Sequence, residues 1–437
     1  MTHQINSCPP RRGRGVEKTG QATQFPLLAR LPLAFGLVLT LALWSPRAVY
    51  AFQLTDPNTW PFFPIPEVAT DPNGGTTYGL MTVFLNHKPD GSISSIFAPD
   101  VTNNATLGPG GTFRFLGYPS SDTHWYAIAG ATEHKARNVD LFYSTGRDRQ
   151  NWWSFDGEFV WEHDPTERFY GIGNNTSSTA ESNYTMEQTY LKTILAINIS
   201  EEFQVGLETR ARYLRIATGA YDSLPYTGTE FPHLKGLNGG SEFFNELVAK
   251  YDDRDHVDLP TQGGLYRLFV GMTQRGFGSS FSYFRFGTEL SHYFPLSKRI
   301  VLATHALIEE MPAGNEPPFW SLARLGGQSS DFFVDRSTLR GWGTARFTDN
   351  NIIGFNAELR TRVFSARLFD TKGTAELAPF FDVGKVSHDV ASNPFINYHP
   401  AGGIGLRAIA EPFVVGYLDL GYAGHGLSIF SGIDYPF

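Results

Sequence analysis

Residues 203–213 read FQVGLETRARY. In an extended chain, Phe203, Val205, Leu207, Thr209, Ala211 and Tyr213 fall on one face. Gln204, Gly206, Glu208, Arg210 and Arg212 fall on the other. Side chains alternate across a strand with a period of two, so this is a strand with one apolar and one charged face. Three charges on one face within five residues do not suit a water-excluding sandwich core, where unpaired charge is costly. They suit a solvated sheet face or the wet lumen of a barrel. The pattern recurs at 355–363, where Phe355, Ala357, Leu359, Thr361 and Val363 oppose Asn356, Glu358, Arg360 and Arg362. It recurs again at 190–197, with Leu191, Thr193, Leu195 and Ile197 opposite Lys192.

The same period marks candidate strands at 76–87, 92–100, 110–118, 123–133, 137–145, 152–162, 184–198, 202–216, 243–252, 264–274, 280–294 and 298–310. Beyond a long irregular segment come 352–365, 374–386, 402–410, 412–422 and 427–437. A single-chain bacterial barrel has an even number of strands. One of these seventeen, within 92–133, is therefore counted as spurious. The expected fold is all-β, a transmembrane antiparallel β-barrel of 16 strands. Short turns such as Lys88-Pro89-Asp90-Gly91 contrast with long polar connections at 171–183, 217–242 and 311–351, as in outer-membrane barrels. Aromatic residues near strand ends (Trp152, Trp153, Trp161, Tyr184, Tyr190, Tyr283, Phe284, Phe294) suit interfacial girdles. The mean hydropathy of −0.22 does not exclude a membrane barrel, because half of each strand faces a polar lumen.

Residues 1–51 read as a secretory signal peptide. A basic region (Arg11, Arg12, Arg14, Lys18, Arg30) precedes an apolar core of 14 residues at 31–44, and Val49-Tyr50-Ala51 offers a cleavage site. The core is too short to span a bilayer comfortably, and no apolar run of about 18 residues follows it. Residues 52–75, with Pro61, Pro64 and Pro66, read as a short periplasmic lead-in, and 76–437 as the barrel. Cleavage removes six basic residues and one acidic one, moving the formal net charge from −8 to −13 and giving no reason to expect nucleic acid. It also removes Cys8, the single cysteine, and with it any disulfide or thiolate chemistry.

The C-terminal half carries a specific resemblance. LARLGGQSSDFFVDRSTLRGWGTARFTD (322–349), AELR (357–360), FFDVGKV (380–386) and GGIGLR (402–407) follow one another as in the BamA/TamA superfamily, the bacterial surface antigen family of outer-membrane proteins. YDDRDHVDLPTQGG (251–264) and FYGIGNNTS (169–177) resemble earlier motifs of the same family, and the chain ends IDYPF. The resemblance implies a barrel with a long extracellular loop folded back into its lumen. It implies that the arginine of the RG motif, here Arg340 followed by Gly341, meets acidic residues on the inner wall at the matching positions Glu358 and Asp382. It also implies that Ile433, Tyr435 and Phe437 form the signal through which the insertion machinery reads the last strand. With only 52–75 ahead of the barrel, the chain reads as a barrel-only member without the family's periplasmic POTRA domains.

The residues themselves agree with part of this. Glu358 lies on the charged face of its strand. Asp382, between the large apolar Phe381 and Val383, points inward, and Asp419 on a nearby strand is a further candidate partner. The loop at 312–351 is 40 residues long, and such loops are functional or disordered. Gly326, Gly327, Gly341 and Gly343 permit its turns. Two roles for Arg340 are open, fixing the loop inside the barrel or gating an opening. The run Asp252-Asp253-Arg254-Asp255 does not read as a metal site, because successive strand residues point alternately. The histidines show no HExxH, and no GxSxG is present, so no enzyme, metal or cofactor is expected.

The expected function is in outer-membrane biogenesis or in protein or lipid transport, through a seam between imperfectly paired first and last strands. The last strand carries Gly432 and Pro436. A passive or gated pore is the alternative. The expected partners are outer-membrane lipid, the barrel-insertion machinery and a separate periplasmic protein.

Overall fold

The computed structural model describes residues 62–71, 75–90, 92–312, 314, 316–329, 337–368, 371–389, 394–410, 414–424, 426–433 and 435–437. The expected signal peptide lies outside them. The strands are β1 (Phe63–Asp71), β2 (Gly75–His87), β3 (Ile93–Phe97), β4 (Asp100–Asn104), β5 (Gly108–Gly117), β6 (His124–Thr132), β7 (Arg137–Thr145), β8 (Trp153–Phe169), β9 (Ser182–Asn198), β10 (Phe203–Thr218), β11 (Gly240–Asp252), β12 (Gly263–Thr273), β13 (Tyr283–Ser297) and β14 (Ile300–Glu310). Four short strands follow, β15 (Ala323–Leu325), β16 (Gly327–Ser329), β17 (Ser337–Leu339) and β18 (Phe347–Asp349). The series ends with β19 (Asn351–Leu368), β20 (Thr371–Ser387), β21 (His399–Ala410), β22 (Val414–Ala423) and β23 (Gly426–Ile433).

Nineteen of these form one antiparallel sheet, which closes where β1 meets β23. β3 and β4 lie end to end between the same neighbours, β2 and β5, with Pro99 between them. They form one interrupted stave, so nineteen strands make eighteen staves. The expected 16 is corrected on two counts. Every one of the seventeen candidate strands is present, including those within 92–133. The segment 52–75 also supplies a strand, β1, despite Pro64 and Pro66. Proline is tolerated at a sheet edge, and β1 lies beside the sparsely paired closure.

The first and last described residues, Phe62 and Phe437, lie at the end of the barrel with mostly short turns. The opposite end carries the connections 170–181, 219–239, 274–282, 311–350 and 388–398. The alternation in β10 separates two environments. Gln204, Glu208, Arg210 and Arg212 are buried on the inside, and Phe203, Val205, Leu207 and Tyr213 are exposed on the outside. Across successive staves, Leu195, Leu207, Leu247 and Leu268 are 47–60% exposed. An apolar band around a closed sheet is the signature of a surface facing lipid. Among the described residues no helix is long and apolar enough to cross a membrane. Two residues expected in aromatic girdles, Tyr184 and Tyr283, instead point inward and are buried.

The lumen is packed. Glu208 pairs with Arg210, and Arg285 lies between Glu246 (3.2 Å) and Glu309 (3.1 Å). The connection 311–350 enters this space as two small hairpins, β15 with β18 and β16 with β17. Its Leu325, Leu339, Trp342 and Phe347 pack with Phe244, Tyr283, Leu307, Ile352 and Val386 of the wall. Phe319, Trp320 and Leu322 pack with Phe169, Tyr184, Met186 and Leu214.

Candidate functional site: an arginine buried in the lumen

Arg340 follows β17 directly, at the inner tip of the loop, and is fully buried. Its Nε donates to Asp382 Oδ2 (2.8 Å) and its Nη2 to Asp382 Oδ1 (2.9 Å), a bidentate fork. Its Nη1 donates to Glu358 Oε2 (3.0 Å) and Asp419 Oδ2 (2.9 Å). Its backbone N–H donates to Asp382 Oδ2 (3.0 Å). The guanidinium also lies 3.5 Å from the ring centroid of Phe380. Burial opposes its charge, but Asp382, Glu358 and Asp419 outweigh that and hold its pKa well above the ordinary arginine value.

Four adjacent staves supply the wall of this site. Glu358 comes from β19, Asp382 from β20, Arg407 from β21 and Asp419 from β22. Arg407 donates to Glu358 Oε2 (2.9 Å) and Asp419, and Arg360 donates to Glu358 Oε1 (3.2 Å). Three carboxylates thus face three guanidiniums, and none of the six residues is more than 2% exposed. A neutral, hydrogen-bonded set is the form in which charge can stay buried.

Close approach is built in through glycine. At Gly341 φ is +104°, and a Cβ there would lie 2.8 Å from the Tyr422 carbonyl carbon. At Gly421 on β22, a Cβ would meet the Gly341 nitrogen at 2.8 Å and Arg340 C at 2.9 Å. Backbone lies on backbone, and neither position has room for a side chain. Of the glycines expected to turn the loop, Gly326, Gly327 and Gly341 have positive φ. Gly343 does not, whereas Ala345 has a left-handed φ of +52°.

A second motif holds the loop from above. The 169–177 segment crosses to the far wall. Gly173 N–H donates to Thr348 O (2.8 Å), and Val386 N–H donates to Asn174 Oδ1 (3.0 Å). Arg346 donates to Thr176 Oγ1 (2.9 Å) and Thr176 O (2.6 Å).

The C-terminal residues depart from the expected strand. β23 ends at Ile433, and Tyr435 and Phe437 turn inward. Tyr435 donates to Glu376 Oε2 (3.0 Å) and lies under Arg360, 3.6 Å from ring centroid to guanidinium. Phe437 is buried against Tyr293 and Ala303, stacks on His305 at 5.6 Å, and accepts from Arg360 Nη2 through its carbonyl (3.1 Å). Arg360 therefore joins the tail to the Arg340 cluster. The structure places Arg340, Gly341, Glu358 and Asp382 together, with Asp419 among them. Sequence reasoning missed Arg407, although GIGLR carries the signal. Gly405 and Arg407 share the inward parity, and a Cβ at Gly405 would collide with the Arg407–Asp419 pair.

Asp252-Asp253-Arg254-Asp255 is absorbed by its turn. Arg254 Nε and Nη2 donate to Asp252 (2.8 and 2.9 Å), Gly264 N–H to Asp253 (2.7 Å) and Thr261 N–H to Asp255 (2.8 Å). Among the described residues no group of three or more His, Cys, Asp or Glu could hold a metal ion.

A closed barrel with an apolar outer band and its own loop bound in the lumen is the architecture of an outer-membrane β-barrel. The chain belongs to the Omp85 superfamily, whose domain model matches residues 125–413. No curated protein matches the sequence. Among solved structures, BamA from Haemophilus ducreyi lacking POTRA domains 1–3 is similar at 15% identity and a TM-score of 0.50, over 85% of this chain and 75% of that one. CdiB from Escherichia coli is similar at 14% identity and a TM-score of 0.45, over 86% and 62%. CdiB from Acinetobacter baumannii stands at 9% and 0.41, over 85% and 59%. At 15% identity the likeness to BamA speaks to the fold alone.

Proposed function

We propose that the protein acts in outer-membrane biogenesis, passing protein or lipid through a lateral seam between β1 and β23 while the Arg340 cluster holds the loop in the lumen. The observation that carries this reading is the asymmetry of the wall. β10 pairs with β11 from Phe203 opposite Tyr251 to Leu214 opposite Gly240, whereas β1 meets β23 at Thr70 opposite Ile429 alone among the described residues. A barrel opens first where fewest backbone bonds must break. The reading is of a non-enzymatic protein working with outer-membrane lipid and a separate periplasmic partner. In this reading Ile433, Tyr435 and Phe437 are recognised by the insertion machinery before the barrel has folded. Depletion followed by quantitative proteomics and lipid analysis of the outer membrane tests the role. An unchanged membrane would sink it.

The alternative is a pore. The luminal packing of Leu339, Trp342 and Phe347 speaks against free passage. Planar-bilayer recordings of the intact protein should show small conductance, rising sharply when residues 326–343 are deleted. Large steady conductance from the intact chain would favour the pore.

A further inference from the structure

We propose that the short-turn end of the seam admits the acyl chain of an amphiphile and not a polypeptide strand, an inference that rests on the laterally opening seam proposed above. The argument begins with two prolines. β1 pairs with β2 without a break, from Phe63 opposite Val83 to Asp71 opposite Gly75. In an antiparallel ladder, residues of one parity exchange bonds with the neighbour on one side and those of the other parity with the opposite neighbour. Proline has no N–H. The unbroken ladder therefore puts Pro64 and Pro66 among the residues that face away from β2, toward β23. Thr70 shares their parity, and it is the residue that meets β23.

The seam-facing edge of β1 thus carries N–H donors at Val68 and Thr70, near the long-loop end, and none at 64 and 66. Extending the antiparallel register from Thr70 opposite Ile429 places 66 opposite 433 and 64 opposite 435. These are the positions where β23 stops and the tail turns into the lumen toward Glu376 and Arg360. The last strand leaves the wall where β1 ceases to offer donors.

An incoming strand would meet the same edge. Its carbonyls opposite Pro64 and Pro66 would go unpaired in a medium with no water to replace the lost bonds. An acyl chain brings no backbone groups to satisfy. The carbonyls left on Pro64 and Pro66 lie toward the short-turn end, where a head-group ammonium can donate to them.

The test uses the full chain in vesicles of phosphatidylethanolamine and phosphatidylglycerol containing a phosphatidylethanolamine with a diazirine on its acyl chain. A parallel sample receives a photoreactive peptide with the sequence of residues 426–433. Mass mapping should find the lipid probe on the lumen-facing Tyr435 and Phe437 and no peptide on residues 63–71. Pro64→Thr/Pro66→Thr, which restores both donors, should lose the luminal lipid label and gain peptide on β1. Peptide captured on wild-type β1 overturns the inference and leaves the seam standing. Labelling by neither probe in the wild type overturns the seam as well. If the double variant fails to fold, the comparison of the two probes on the wild type decides alone.

Discussion

Two parts of one wall are held in opposite ways. From β19 to β22 the ladder is long, and its luminal face carries five buried charges clustered around Arg340 at the loop tip. From β23 to β1, among the described residues, one position is paired and no charged pair crosses. The difference teaches where stability and motion are separated. On the proposed reading, the wall yields at the far edge of β23, the stave next to the one that carries Asp419.

The sharpest way to break this contrast is Arg340→Ala. It leaves three buried carboxylates facing two guanidiniums, and removing one member of such a set costs roughly 3–5 kcal/mol. The temperature at which the compact, heat-modifiable form is lost should fall markedly. Arg340→Lys should sit between, since lysine keeps the charge and loses the bidentate fork. An unchanged unfolding temperature in Arg340→Ala would remove the lock from the picture.

The opposite manipulation strengthens the weak side. Thr70→Cys/Ile429→Cys sits in a mature chain expected to have no other cysteine, and a cross-link closing so long a loop stabilises by roughly 2–4 kcal/mol. Oxidation should raise the unfolding temperature and arrest function, with both effects reversed by reductant. A stapled barrel that works normally would place the working opening elsewhere. Deleting Phe437 is expected to cost less, about 1–3 kcal/mol, for a lost bond to a charged donor and an emptied apolar seat. Arg360→Ala should cost more than the deletion, because it also leaves three buried carboxylates facing two guanidiniums, and the two changes together should fall short of additive because they share one contact.

Much of this was legible in the sequence, for reasons that differ by residue. The period of two was visible because inside and outside of a barrel are chemically opposite, so Glu358 and Asp382 could be assigned inward. β1 was not legible, because Pro64 and Pro66 argue against a strand unless one side of it lacks a partner. β4 was hidden by Pro99, which splits one stave into two short pieces. The inward turn of Tyr435 and Phe437 was hidden for another reason. The alternation of IDYPF suits a strand, and only the missing donors on β1 and the waiting Arg360 send it elsewhere. Arg407 belongs to a set whose balance of three against three exists only once four staves are side by side.

The smallest expected effect sharpens the comparison by supplying a charge pair of the ordinary kind. Arg147 Nη2 lies 3.0 Å from Asp258 Oδ1, joining two turns at the short-turn end, a geometry close to that of Arg340 with Glu358. The side chains differ in exposure, 23% and 27% at the turns against 0% and 0% in the lumen. Water and salt screen the first pair and not the second. Arg147→Ala should therefore change stability by no more than about 1 kcal/mol, and the change should vanish in high salt. The loss in Arg340→Ala should persist there, because the carboxylates it strands lie beyond the reach of solvent ions. Equal effects of the two substitutions, or equal sensitivity to salt, would mean that the luminal cluster is wetter than its packing implies and that the wall is held by its ladders alone.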